Sequence, residues 1–175
     1  NTANEVLIST YKGYCLWFDI NEVPIVGLKA SGVKSINLKD DYVVNGNIFN
    51  NHNIEYISVI TDKCYLKRVK ISELEKTSRA KRGLLIIREV KSNPQFIKKV
   101  LTINIKDMIG LKMLDELKYI KNSELTIADR YSIGSLVFKG NVDDVFVKQD
   151  VISIKKDNNI NNNDNDIELL EPIKE

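Results

Sequence analysis

Histidine, cysteine, tryptophan, proline and glycine are all scarce in this chain. One His, two Cys, one Trp, three Pro and eight Gly are spread over 175 residues. One His and two dissimilar Cys cannot assemble a zinc site by known ligand spacings, so no metal is expected. Cys15 and Cys64 lie 49 residues apart in apolar, strand-like contexts. They read as reduced core thiols rather than a bridge, which fits a cytoplasmic setting. No run of 18 apolar residues is present, so no membrane-spanning helix is expected. There is no Walker A loop, no Gly-x-Ser-x-Gly elbow and no dinucleotide fingerprint. His52 sits in the polar run Asn50-Asn51-His52-Asn53 and reads as a linker residue. Asp40-Asp41 and Asp143-Asp144 read as turn residues rather than an acid/base pair. The expectation is a non-catalytic module. With Asn1 at its start and no charged-then-apolar leader, the chain reads as a piece of a longer protein.

What the chain does have is a repeat. Glu22, Glu73 and Glu124 recur every 51 residues, each behind a small polar residue and ahead of Val23, Leu74 or Leu125. Gly32, Gly83 and Gly134 keep the same interval, each a few residues behind a cation, Lys29, Arg79 or Arg130. Apolar positions follow the register, as in Ile36, Ile87 and Phe138. Self-similarity of this length marks a unit that cannot bury its apolar face alone and must stack on its neighbours.

Each unit reads as four short strands, which is propeller-blade geometry and an all-β fold. In the first unit these are residues 5–10, 14–19, 31–38 and 42–49, with a turn at Tyr11-Lys12-Gly13. The second gives 56–61, 64–71, 84–90 and 96–103, and the third 108–114, 118–122, 135–138 and 145–152. Residues 105–119 also carry Ile109, Met113 and Leu117 at helical spacing, but the register of the first two units favours strands there. The expected division is blade 1 over 1–52, blade 2 over 53–104, blade 3 over 105–155 and a disordered Asn/Asp-rich acidic tail over 156–175. Three blades do not close a ring, because propeller disks have four or more.

The net charge of +2 conceals a segregation. From Lys63 to Lys99 twelve cations face three glutamates, a net +9 in 37 residues. The loop Thr77-Ser78-Arg79-Ala80-Lys81-Arg82-Gly83 combines hydroxyls, cations and a glycine, the groups that bind phosphate and let backbone approach it. Few aromatics lie among the cations, so duplex-backbone contact fits better than base stacking on single strands. Lys29, Lys34, Lys67, Arg68, Lys70, Arg79, Lys81, Arg82 and Arg130 are the candidate DNA contacts. A protein-binding propeller scaffold stays open as the rival reading, and it would carry apolar contact patches instead.

The stretch Gly27-Leu28-Lys29-Ala30-Ser31-Gly32-Val33-Lys34-Ser35-Ile36-Asn37-Leu38-Lys39-Asp40-Asp41 resembles a blade of the C-terminal domain of type IIA topoisomerase A subunits. So do Ser78-Arg79-Ala80-Lys81-Arg82-Gly83-Leu84 and, more degenerately, Asp129-Arg130-Tyr131-Ser132-Ile133-Gly134-Ser135. The resemblance covers residues 1–155 and implies a β-pinwheel whose strands interlock between neighbours, with duplex DNA bent along a basic perimeter. It further implies that ATP, magnesium and the cleavage tyrosine belong elsewhere in the parent. Partners would be the rest of the same polypeptide and the enzyme's B subunits, two copies of each chain, in a cytoplasmic, nucleoid-associated enzyme. The Gln-Arg-Arg-Gly-Gly-Lys-Gly box of the gyrase branch does not occur here. That points to the topoisomerase IV branch in its Gram-positive, staphylococcus-like form, which holds DNA for decatenation and relaxation, with gyrase-type wrapping as the alternative.

Overall fold

The computed structural model describes residues 3–148; residues 1, 2 and 149–175, including the expected tail, lie outside the described residues. Among the described residues there are eleven strands, three single-turn 3-10 segments and no α-helix. In the first repeat β1 (Glu5–Thr10) and β2 (Tyr14–Asp19) form a hairpin, and β3 (Val43–Phe49) pairs with the other edge of β1. The second repeat gives β4 (Tyr56–Thr61), β5 (Tyr65–Lys70), β6 (Leu84–Leu85) and β7 (Ile97–Leu101). The third gives β8 (Met108–Met113), β9 (Glu116–Lys121), β10 (Ser135–Leu136) and β11 (Asp144–Lys148). The stretch with helical spacing is therefore the β8–β9 hairpin.

The sheets do not coincide with the repeats. The first sheet runs β3-β1-β2-β6 and the second β7-β4-β5-β10, so each takes its fourth strand from the repeat that follows. The third, β11-β8-β9, has no strand on the outer edge of β9 among the described residues. This changes the reading of the third strand in each repeat. The expected strand over 84–90 is only two residues long and that over 135–138 likewise, because each touches its neighbour's edge only briefly. The expected strand over 31–38 is not a strand. Its register counterpart of Leu84–Leu85, Val33–Lys34, has no edge to pair with in the described structure, and an unpaired strand has no ladder to hold it.

Stacking explains why these strands read as near-continuous apolar runs instead of alternating. Both faces of the middle blade are covered by neighbours, so both phases of the period-2 pattern are buried there. Leu7, Cys15 and Trp17 from one face of blade 1 pack with Ile57, Val59, Val69, Ile86 and Ile87 of the second repeat. Val6, Leu16 and Phe18 on the other face are covered by Ile36 from the chain's own exposed loop. The opposite side of blade 2, with Ile60 and Leu66, packs on Ile109, Leu111, Leu125 and Val145. Both cysteines are buried with free thiols, and burial pushes the Cys15 thiol up to about 12. The aspartate pairs do turn work: Asp41 Oδ1 accepts the Lys12 N–H at 3.0 Å and Asp143 Oδ2 accepts the Leu114 N–H at 2.6 Å.

Gly83 enters the joint between repeats with φ of +82°, and a Cβ there would lie 2.2 Å from the Cys15 carbonyl oxygen. Gly32 has the same φ of +82° with nothing within 4 Å of a Cβ. Gly83→Ala should therefore lose about 2–4 kcal/mol of stability through clash and left-handed strain together. Gly32→Ala should lose only about 1 kcal/mol, the cost of the strained backbone alone. Urea unfolding of the two variants checks this, and equal losses would contradict the docked geometry at Gly83.

Candidate nucleic-acid interface

The repeated glutamate and arginine meet each other before they meet any ligand. Glu22 ends a 3-10 turn (Ile20–Glu22) started by Asp19, whose side chain accepts the Asn21 N–H. From there the Glu22 carboxylate accepts the backbone N–H of Arg79 at 2.9 Å. One repeat later Glu73 accepts the N–H of Arg130 at 2.8 Å. The guanidinium groups complete the joint. Arg79 donates to the Glu22 carbonyl at 2.9 Å and to the Lys34 carbonyl at 2.8 Å, and Arg130 donates to the Leu85 carbonyl. Lys34 and Leu85 are themselves 51 residues apart, so one joint is built twice. Glu124 and the β9 edge offer the same half-joint a third time.

Two further sequence candidates are inside the fold. Lys67 is 0% exposed. Its ammonium donates to the carbonyls of Asp129, Arg130 and Ser132 at 3.0, 2.8 and 2.7 Å, clamping the third repeat's loop onto the second blade. Burial pushes the Lys67 ammonium down to about 8, against the opposing pull of Asp129 and Glu73. Arg68, also buried, donates to the carbonyls of Leu125 and Ser123 at 3.0 and 3.1 Å and lies over the Tyr56 ring. Lys67 thus serves the joint, while Arg68 keeps one nitrogen, Nη1, without a partner and lines a cleft with Tyr56 and Asn122. Lys76, counted in the cation cluster, is likewise paired, with Glu5 at 2.8 Å and Asp19 at 3.1 Å; Glu5 also accepts the Trp17 indole N–H.

The remaining candidates lie outside. Lys29, Lys34, Lys70 and Lys81 are exposed, and among the described residues only Lys34 has a side-chain partner, Asn37 at 3.3 Å. The joint brings Lys81 beside the Lys34 loop, since Asn37 N–H donates to the Lys81 carbonyl and Ala80 N–H to the Ser35 carbonyl. Lys70 stands at the far end of β5 from the docked β10. Arg82 is half-buried with its guanidinium 3.9 Å above the centre of the Tyr14 ring. It shares a cleft with Lys12 and Arg88, two cations outside the candidate set. A signal for them existed in their positions, beside the Gly13 turn and just past the docked strand.

A profile described as the DNA gyrase C-terminal domain, beta-propeller, matches residues 4–49 and 55–104. The chain belongs to that family. Within the family it is 39% identical over 140 residues to the A subunit of DNA topoisomerase 4 from Bacillus subtilis (strain 168), across 79% of this chain and 17% of that protein. It superposes on the crystal structure of the C-terminal domain of DNA topoisomerase IV with a TM-score of 0.78 and 40% identity, covering 83% of this chain and 46% of that one. The DNA gyrase A C-terminal domain shares the fold at a TM-score of 0.74 with 17% identity, over 82% of this chain and 50% of that one. The chain thus resembles the C-terminal domain of DNA topoisomerase IV and spans 46% of that solved domain.

Lys67→Met keeps much of the side-chain volume but removes three donors from partly buried carbonyls. It should lower stability near pH 7 by on the order of 2 kcal/mol in urea unfolding, and an unchanged midpoint would contradict the clamp. The folded chain holds the Lys67 proton less tightly than the unfolded chain, with a value of about 8 against 10.5. That penalty is full below about 8 and fades as pH rises towards the ordinary value, so wild type should gain stability relative to Lys67→Met across that window.

Proposed function

We propose that this chain is a non-catalytic DNA-holding module from the A subunit of a topoisomerase IV. In this reading it binds and bends duplex DNA along its outer strands so that the enzyme can decatenate and relax chromosomes in the cytoplasm. The observation that carries the proposal is the sorting of the cations. The fold consumes Lys67, Arg68, Lys76, Arg79 and Arg130 in its own joints. It leaves the exposed Lys29, Lys70 and Lys81 and the half-buried Arg82 without a side-chain hydrogen bond or carboxylate among the described residues. Cations with no internal partner lower the free energy of a nearby polyanion by releasing its counterions, without reading its sequence. Bending a site of two or three turns costs on the order of 1–6 kcal/mol, which a handful of such contacts offsets.

Similarity favours the topoisomerase IV branch over gyrase-type wrapping, at 40% identity against 17% for the solved domains. Under this proposal ATP, magnesium, the B subunits and the remainder of the A subunits belong to the parent enzyme, outside this chain. The scaffold reading would draw on the fully exposed Ile25 and Leu28. Those residues lie on the loop whose counterparts dock against a neighbouring repeat, so the joint accounts for them.

Binding to a duplex of about 40 base pairs, followed by fluorescence anisotropy across salt, should be steep in wild type. Changing Lys29, Lys70 and Lys81 together to alanine should lower the slope of log K against log salt by roughly 2–3. A folded wild type that shows no binding at low salt would contradict the proposal.

A further inference from the structure

The first joint opens on a cleft of about 380 Å³ that neither the stacking nor the loop exchange uses. Its wall is formed by Lys12 and Tyr14 of the first hairpin, Arg82 and Arg88 around β6, Gln95 before β7, and Tyr131 of the third repeat. Glu89 is the one acidic group on that wall, against three cations. Gln95 is 6% exposed, and its carbonyl oxygen already pairs with the Thr61 hydroxyl at 3.0 Å. Its amide nitrogen is buried without a partner, as is Nε of Arg82. A buried donor with no acceptor costs free energy, on the order of 1–3 kcal/mol, until an acceptor arrives. The Arg82 guanidinium lies over the Tyr14 face and donates no hydrogen bond among the described residues. Lys12 and Arg88 are exposed at the mouth and make no side-chain hydrogen bond among the described residues.

We propose that this cleft seats one phosphodiester group of the bound duplex, with Arg82 as its main donor and Arg88 and Lys12 flanking it. The proposal rests on the DNA-binding reading above and sharpens it. It separates one built phosphate seat, which fixes the register of the duplex on the first joint, from the solvated lysines that contribute only charge. Guanidinium is the fitting group because its planar fork reaches two phosphate oxygens at once while its face stays on the tyrosine. The volume exceeds that of a phosphate alone and admits the adjoining sugar, as backbone recognition requires.

The test uses the whole 175-residue chain and the same duplex titrated across salt. Arg82→Gln with Arg88→Gln should weaken low-salt binding about tenfold or more and flatten the salt slope by roughly 2. Arg82→Lys should recover less than half of that loss on a logarithmic scale, although it restores the charge. If the double variant fails to fold, as judged by its urea midpoint, Lys12→Gln at the rim should still flatten the slope by roughly 1. Unchanged affinity and slope in these variants, while the variant of Lys29, Lys70 and Lys81 loses binding, would overturn the seat and leave the DNA reading standing. No duplex binding by wild type would overturn both. A third arm adds millimolar inorganic phosphate without DNA and follows the amide signals of Ile87, Arg88 and Glu89. Saturable shifts that DNA does not displace would assign the cleft to free phosphate and overturn the duplex source.

Discussion

A β-blade in an array has a strand edge that must be paired, and in this chain the next repeat pairs it. The outer edges of β2 and β5 accept two-residue strands from the following repeat, Leu84–Leu85 and Ser135–Leu136. On either side of each short ladder stand the same backbone contacts, Thr77 N–H to the Trp17 carbonyl and Ile86 N–H to the Gly13 carbonyl, repeated as Ala128 to Arg68 and Val137 to Cys64. Two ladder residues alone hold little. The joint is completed by a carboxylate, Glu22 or Glu73, that accepts the backbone N–H of Arg79 or Arg130. Stacking then buries both faces of the middle blade, in the two clusters that contain Ile57 on one side and Leu66 on the other. Edge pairing and burial are thus supplied by the same neighbour, and neither can be removed without the other.

The same logic divides the basic residues into two populations. A cation inside a joint, such as Lys67 with three carbonyls, stabilises the fold, and its charge is largely neutralised by peptide dipoles. A cation outside, such as Lys81, is exposed with no side-chain partner among the described residues and is available to a polyanion. Composition counts both alike, so the net +9 of residues 63–99 overstates the field that a ligand meets. What remains is a smaller set of exposed lysines, the exposed Arg88 and Arg82 held by a tyrosine face, which suits backbone contact without base readout.

Much of the fold was legible because the 51-residue register carries it. The hairpins at 5–19, 56–70 and 108–121 follow from β-rich runs around a turn, and the register settles the third against its helical spacing. The structural role of the repeated glutamates was visible too, since a lone acid at a fixed place in every unit suggests a recurring contact. The exchanged strands were not legible as such. Leu84–Leu85 lies in an apolar run that extends to Ile87, and nothing in that run says that only two residues meet a ladder or that the ladder belongs to another repeat. The site was less legible than the fold. Lys67 and Arg68 sit in a strand reading Tyr-Leu-Lys-Arg-Val-Lys, where burial on both faces cannot be told from exposure of one. Arg79 and Arg130 look like phosphate ligands in any glycine-bearing loop, and the sequence carries no sign that their guanidinium groups also donate to the carbonyls of Lys34 and Leu85.

The central claim is that strand exchange between repeats holds the array. Native-state amide hydrogen exchange tests it residue by residue, because the joint protects particular N–H groups. Strand exchange predicts strong protection at Arg79, Ile86, Arg130 and Val137, whose donors end on the preceding repeat, and little at Leu28 and Ser35, their register counterparts in the first repeat, which have no edge beside them among the described residues. Free exchange at Ile86 and Val137 in a folded sample, or equal protection at Leu28 and Ser35, would contradict it.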